Sequence, residues 1–488
     1  MAVEGEKKSD ILLRKCGITN GQQNFIDKNL YLHYNLYIMY CKGKQKMRIQ
    51  LSDNFTYKKL FIFTIPSIAM MIFTSIYGVV DGYFVSNYVG KIPFAALNFI
   101  MPFLMILGTI GFMFGTGGSA LISKLMGEGN KEKANSLFSL FIYIPLIIGV
   151  IISVLGIILL PEISTLLGAE GEMLRYSVIY GRIILAALPL FILQVEFQTF
   201  FITAEKPQLG LYVTLFSGVT NMVLDFLLVG VFSFGLEGAA LATAISQGVG
   251  GIVPLVYFMR KNDSLLKLGK TEVDLPAIIK CCTNGSSELL SNISMSLIGM
   301  LYNIQLLKYA GENGIAAYGV LMYVNFVFLA AFIGYSIGIA PIVSFNLGSA
   351  NHKELKNIFR KSMVIIGILS VVMFVSSEFL AKPLSIFFVG YDEPLLELTK
   401  RGFLIYSFSF LFAGFAGFGS AFFTALNNGL ISAILSVSRT LVFQILAVLL
   451  LPLIFGIDGI WISVVIAEFL ATILTIIFII ANKKRYHY

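Results

Sequence analysis

The stretch GVTNMVLDFLLVGVFSFGLEGAALAT, residues 218–243, decides how the chain is read. It sets an amide, Asn221, and a carboxylate, Asp225, four residues apart, so the two share one face of an otherwise apolar helix. An ionised carboxylate near a bilayer centre costs about 2.5–3.5 kcal/mol on insertion scales, so one kept there marks a functional site. Thr243 follows in the next helix, after the short FSFGLEG turn, where an antiparallel return brings it toward Asp225.

The surrounding chain supplies the apolar setting. Of 488 residues, 57% are apolar and 13% charged, with a mean hydropathy of +0.84, which belongs to a polytopic membrane protein rather than a soluble domain. About twelve runs are long enough to cross ~30 Å of hydrocarbon. They lie near 59–85, 94–122, 136–160, 175–203, 208–231 and 236–258, then 277–306, 316–344, 359–380, 398–424, 430–453 and 458–481. The expected fold is all-α, with two six-helix bundles related by a pseudo-two-fold axis along the membrane normal.

The net charge of +8 reports topology, not a nucleic-acid partner, because the basic residues sit in short segments between apolar runs. Lys124, Lys131, Lys133, Lys206, Arg260, Lys261, Lys353 and Lys356 fall in alternate loops, and Lys483, Lys484 and Arg485 close the chain. Both termini are therefore expected in the cytoplasm of a plasma-membrane protein, although Arg175, Arg182, Lys400 and Arg401 run against the trend.

Residues 1–46 are polar and lack the apolar core of a secretory signal, so Met47 reads as the start of the membrane portion and the preceding segment as dispensable. The division expected is an N-terminal lobe over 47–258, a cytoplasmic linker over 259–276 and a C-terminal lobe over 277–488. The GKT at 269–271 lacks the first glycine of a phosphate-binding loop, because Ser264 stands there.

The halves repeat. Tyr88-Val-Gly90 parallels Tyr309-Ala-Gly311 at an offset of 221, which also carries Gly117 to Gly338, Gly127 to Gly348, Asn130 to Asn351 and Gly235-Leu-Glu-Gly238 to Gly456-Ile-Asp-Gly459. Each half crosses the membrane an even number of times, so the repeats enter from the same side, with a substrate site expected between them.

The four cysteines form no CxxC pair, and the three histidines (His33, His352, His487) lie outside the apolar runs, which disfavours a metal centre, a resident cofactor or an enzyme. The polar residues within the spans carry the function instead. Pro66 and Asp81 are fifteen positions apart on the first helix, ~22 Å at 1.5 Å per residue, so kink and carboxylate sit toward opposite ends. The plain alternative for Asp81 is a solvated helix end, and for Asn221 it is helix–helix packing.

Asp225 has no counterpart in the second half, where the offset reaches Leu446. That half offers Glu288, Asn303, Arg439 and Glu468, the last at the position of Gln247. Arg439 and Glu468 are expected to pair structurally. Glu196, Gln247, Glu288 and Asn303 read as cavity or gate positions, with an interfacial place as the alternative for Glu196 and Glu288. A carboxyl in apolar surroundings or beside a second carboxyl can exchange protons near neutral pH, which suits ion-coupled transport. Where the abundant Phe and Met side chains line a cavity, they form an adaptable wall for lipophilic ligands.

With these residues in place, the chain resembles the multidrug and toxic compound extrusion (MATE) family, in its DinF-like and MepA-like branch. The likeness runs from about Met47 to the C-terminus. It rests on TIPSIAMMIFTSIYGVVDGYFVSNYVG, on MGEGNKEKANSLF, on NMVLDFLLVGVFSFGLEGAALAT and on the six-plus-six repeat. The resemblance implies a V-shaped pair of bundles that exports organic cations against inward H+ or Na+ by alternating access. It gives Pro66 and Asp81 the places of the family's first-helix proline and aspartate, and Asn221, Asp225 and Thr243 those of the N-lobe polar cluster, the site of a proton or Na+. The acidic C-lobe residues of another branch have no match, since Glu288 sits earlier in its helix. A monomer is expected, its partners being small lipophilic or cationic molecules and the bilayer. A lipid or polysaccharide-precursor flippase of the same superfamily is the nearest alternative, and a membrane enzyme or receptor is more distant.

Overall fold

The computed structural model describes residues 49–488, and from Leu51 onward the chain forms one unit. The expectation for residues 1–46 lies outside the described residues. Among the described residues, eleven helices are long and apolar enough to cross a membrane. In order they are α1 (Tyr57–Val89), α2 (Lys91–Gly127), α3 (Lys131–Leu166), α4 (Gly171–Thr203), α5 (Pro207–Val231) and α6 (Gly235–Met259). The chain continues through Leu275–Gly348, then α9 (His352–Val389), α10 (Glu393–Ala425), α11 (Gly429–Phe455) and α12 (Ile457–Tyr486). No strand occurs among the described residues.

The 74-residue stretch is two spans. At 1.5 Å per residue it would run to roughly 110 Å if straight, several times the hydrocarbon thickness. Gly311 breaks it with φ 61° and ψ −149°, a backbone region open to glycine and costly to other residues. The two spans are α7 (275–310) and α8 (312–348). Gly90, its repeat partner, makes the same break between α1 and α2 with φ 117° and ψ 178°. The apolar pattern thus gives the right twelve crossings.

The helices outrun the apolar runs because polar caps extend them. Asn130 Oδ1 accepts from Lys133 N and Asn351 Oδ1 from Glu354 N, both at 3.1 Å, at the repeated starts of α3 and α9. Asp274 and Asp392 cap α7 and α10 in the same way at 3.0 Å. Outward faces stay apolar: Ile147, Ile151, Val154 and Ile158 form an exposed stripe along α3, suited to lipid.

The first six helices meet the last six along a seam built from pairs related by the repeat. A methyl group at Gly127 would overlap the Phe345 carbonyl, and one at Gly348 would overlap the Lys124 carbonyl. The offset of 221 exchanges these two contacts, as a two-fold axis requires. The contacts of Gly117 with Gly285 and of Gly338 with Thr64 obey the same exchange.

At that end of the seam a short strap crosses from one half to the other. Leu51 N donates to Glu205 Oε1 at 2.7 Å and Phe55 N to Glu354 Oε1 at 2.8 Å. Residues 260–274 leave the helical pattern and dock on α3, with Lys267 N on Asn135 Oδ1 at 2.7 Å and Thr271 Oγ1 on Ser136 O at 2.8 Å. The hydroxyl of the GKT stretch is therefore used in packing.

Candidate ion and substrate site

The polar residues of α1 converge on α5 and α6. Asp81 faces Asp225 and Thr243 within interaction range, and Asp225 in turn feels the charge of Asp81. Asp81 is thus no solvated helix end; it turns into the bundle. Among the described residues, Asp81 Oδ1, both carboxylate oxygens of Asp225, and Thr243 Oγ1 have no hydrogen-bond partner. Asn221 is buried one turn before Asp225, and no hydrogen bond joins its amide to the carboxylates among the described residues. Gln247, one turn beyond Thr243 on α6, also leaves Oε1 without a partner.

The backbone changes character where the carboxylate sits. At Asp225 the α5 helix passes into a π-helical segment, Asp225–Val231, and α1 ends in another, Val85–Val89. Such wide turns leave carbonyls with looser pairing and recur at functional sites.

Three neighbours escape a reading that searches for charge alone. Tyr77, one turn before Asp81, lies within reach of both Asp81 and Gln194. Gln194 Nε2 donates to Ser217 Oγ at 3.3 Å, and Ser217 Oγ donates to Ser246 O at 2.6 Å, linking α4, α5 and α6. Tyr180 is fully buried and close enough to sense both aspartates. The four-residue spacing of Tyr77 and Asp81 was the available signal.

Two carboxylates meeting without a basic partner repel each other, and a shared proton or a bound monovalent cation relieves that repulsion. The donors are hard oxygens, which suit Na+ as well as H+. Among the described residues no group of three or more His, Cys, Asp or Glu could hold a metal ion.

The second half is built differently at the matching depth. The repeat offset carries Asp81 to Tyr302, whose buried hydroxyl is hydrogen-bonded to Gln444 Oε1 and Ser463 Oγ, both at 2.7 Å. Arg439 lies in a third π-helical segment, Ser438–Phe443, and its Nε donates to both Glu468 oxygens at 3.0 and 2.8 Å.

Two expectations change, for Glu288 and for Glu196. Glu288 is not interfacial: it stands well inside α7 and interacts with the charge of Arg439. Asn303 is exposed, one step of helical rotation from the inward-turned Tyr302, as a cavity position also would be. Glu196 is neither interfacial nor on an open wall. It is 0% exposed, with its backbone packed against Gly115 of α2. Pro66 is buried inside a continuous α1, beside the Thr64–Ser67 contacts with α8.

The MatE family model matches the chain twice, over residues 66–227 and 289–450. The chain belongs to the MatE family. Curated relatives of this MatE protein include the multidrug export protein MepA of Staphylococcus saprophyticus, 28% identical over 445 residues, covering 88% of this chain and 94% of the relative. MepA of Staphylococcus haemolyticus is 27% identical, covering 91% and 97%.

Among solved structures, a MATE protein in complex with MaL6 superposes with a TM-score of 0.84 at 22% identity, covering 88% of this chain and 98% of that one. A MOP superfamily transporter from Pyrococcus furiosus gives 0.83 at 21%, covering 89% and 98%. The MatE fold is therefore common to all of them, and this protein is a multi-pass membrane transporter. Its first matched stretch contains Asp81, Glu196, Asn221 and Asp225; its second contains Asn303 and Arg439.

Proposed function

We propose that this MatE protein exports lipophilic organic cations across the plasma membrane by antiport with H+, using the Asp81–Asp225 pair and Thr243. The observation that carries this reading is the meeting of two carboxylates inside an apolar bundle with no basic side chain among the described residues to neutralise them. The MepA names of its relatives support the substrate class. In one state a proton occupies the pair. In the other, substrate binding favours the arrangement that releases it. A ligand shifts such an equilibrium only by its differential affinity for the two states, so the pair must change surroundings between them.

The termini face the cytoplasm in this reading, and the glycine-lined seam closes the cytoplasmic end. The chain acts as a monomer, with the substrate cavity between its halves and no resident cofactor. A flippase for anionic lipid precursors would need a cationic cavity, whereas Arg439 is tied to Glu468 at 2.8 Å.

The test is efflux of a fluorescent lipophilic cation from proteoliposomes under separately imposed H+ and Na+ gradients. A proton gradient alone is expected to drive export. Export driven by Na+ alone would make Na+ the coupling ion, and no movement under either gradient would overturn the antiport reading.

A further inference from the structure

The turn after α6 builds a cleft of about 740 Å³ that the transport reading leaves unused. Val253, Val256 and Tyr257 of α6 form one wall, and residues 260–263 curl back to form the other. Hydrogen bonds fix this turn. Asn262 Nδ2 donates to the carbonyls of Tyr257 and Arg260 at 2.9 and 3.0 Å, and its Oδ1 accepts from Ser264 N at 2.9 Å. Asp263 Oδ2 accepts from Lys206 Nζ at 2.6 Å, so the acid of the turn is neutralised from the start of α5. Arg260 and Lys261 line the same cleft and are exposed, and neither side chain makes a hydrogen bond or an ion pair among the described residues. Two unpaired cations therefore sit at its edge.

Toward the membrane interior, the same face of α6 is apolar. Leu241, Ile245, Ile252 and Val256 follow at steps of four, seven and four residues, and all are exposed. They cover ~22 Å at 1.5 Å per residue, more than the ~15 Å of hydrocarbon in one leaflet. Cations at one end and a strip of acyl-chain length beyond them match the two parts of a phospholipid.

The second half supplies a comparison within the molecule. The repeat offset carries Arg260 and Lys261 to Ala481 and Asn482, where α12 runs on as a helix to Tyr486. Lys483, Lys484 and Arg485 are exposed in its last turn, so this half has cations at the matching end without the turn of residues 260–263. Charge recurs in both halves; the turn does not.

We propose that the cleft seats the headgroup of an anionic phospholipid from the adjacent leaflet, with its phosphate on Arg260 and Lys261 and one acyl chain along α6. A guanidinium fork and an ammonium suit phosphate oxygens, and Tyr257 places an aromatic ring at headgroup level. A free phosphate would meet the cations but leave the apolar strip uncovered, which favours the lipid. The bound lipid ties the linker between the halves to the end of α6. It is neither substrate nor coupling ion, so this inference stands apart from the antiport reading and is tested without a gradient.

The experiment is native mass spectrometry of the detergent-purified full-length protein titrated with dioleoylphosphatidylglycerol or dioleoylphosphatidylcholine. The first phosphatidylglycerol is expected to bind at least about tenfold more tightly than the first phosphatidylcholine. The Arg260→Gln, Lys261→Gln variant should lose about tenfold in phosphatidylglycerol affinity, whereas Lys483→Gln, Lys484→Gln, which removes the same charge, stays within about twofold of wild type. These side chains are exposed, so both variants keep the fold, and an unchanged thermal midpoint checks it. Equal affinity for the two lipids, equal losses in the two variants, or no loss in either overturns the proposal. So does displacement of bound phosphatidylglycerol by an equal concentration of inorganic phosphate, which would assign the cleft to a free anion.

Discussion

Arg439 and Glu468 show what a single buried charge costs in this protein. Removing one partner leaves the other unpaired in an apolar bundle, and buried pairs broken in this way typically lose about 3–5 kcal/mol. Arg439→Met is therefore expected to lower the thermal midpoint of the detergent-purified protein markedly, while Arg439→Met with Glu468→Met recovers most of the loss. Asp81 and Asp225 could be found in the sequence because a carboxylate in an apolar run stands out, and the Arg439–Glu468 pair for the same reason. Tyr77 and Gln194 could not, since uncharged polar residues are common in membrane helices and carry little contrast. The depth of Glu196 was equally hidden, because hydropathy fixes a span but not which neighbour covers each of its faces.

At the scale of elements, caps and glycines set where helices begin and turn. Asn130→Ala and Asn351→Ala each remove the acceptor for an orphan N–H and are expected to cost about 1 kcal/mol in equilibrium unfolding. Gly311→Ala forces a side chain into a region of about 1–3 kcal/mol strain and is expected to destabilise the α7–α8 corner. Limited proteolysis at that corner should then proceed faster than in wild type. The apolar runs revealed the twelve crossings, including the α7–α8 pair, because a polar gap at Lys308–Gly314 interrupts them. They fell short at the ends, where Asn130, Asn351, Asp274 and Asp392 carry helices on into polar sequence. The π-helical turn at Asp225 left no sequence mark, because it depends on how α5 packs against α1 and α6.

At the scale of the whole molecule, the two halves close on each other through contacts exchanged by the repeat. The equal spacing of Gly127 and Gly348 was visible in the chain, but their reciprocal packing against Phe345 and Lys124 required coordinates. Gly348→Leu wedges a side chain into that approach. Spin labels at Lys131 and Lys353, both exposed near this end, are expected to report a longer distance than in wild type. An unchanged distance would mean that the seam does not gate this end.

The central claim is that the Asp81–Asp225 pair couples substrate to protons across these halves. Linkage makes that coupling reciprocal: if protonation weakens substrate binding, substrate binding expels protons. Saturating lipophilic cation added to purified protein in weak buffer should therefore release protons from wild type, but not from the Asp81→Asn, Asp225→Asn double variant at equal substrate occupancy. Release of the same size from both, or none from wild type, would contradict the account.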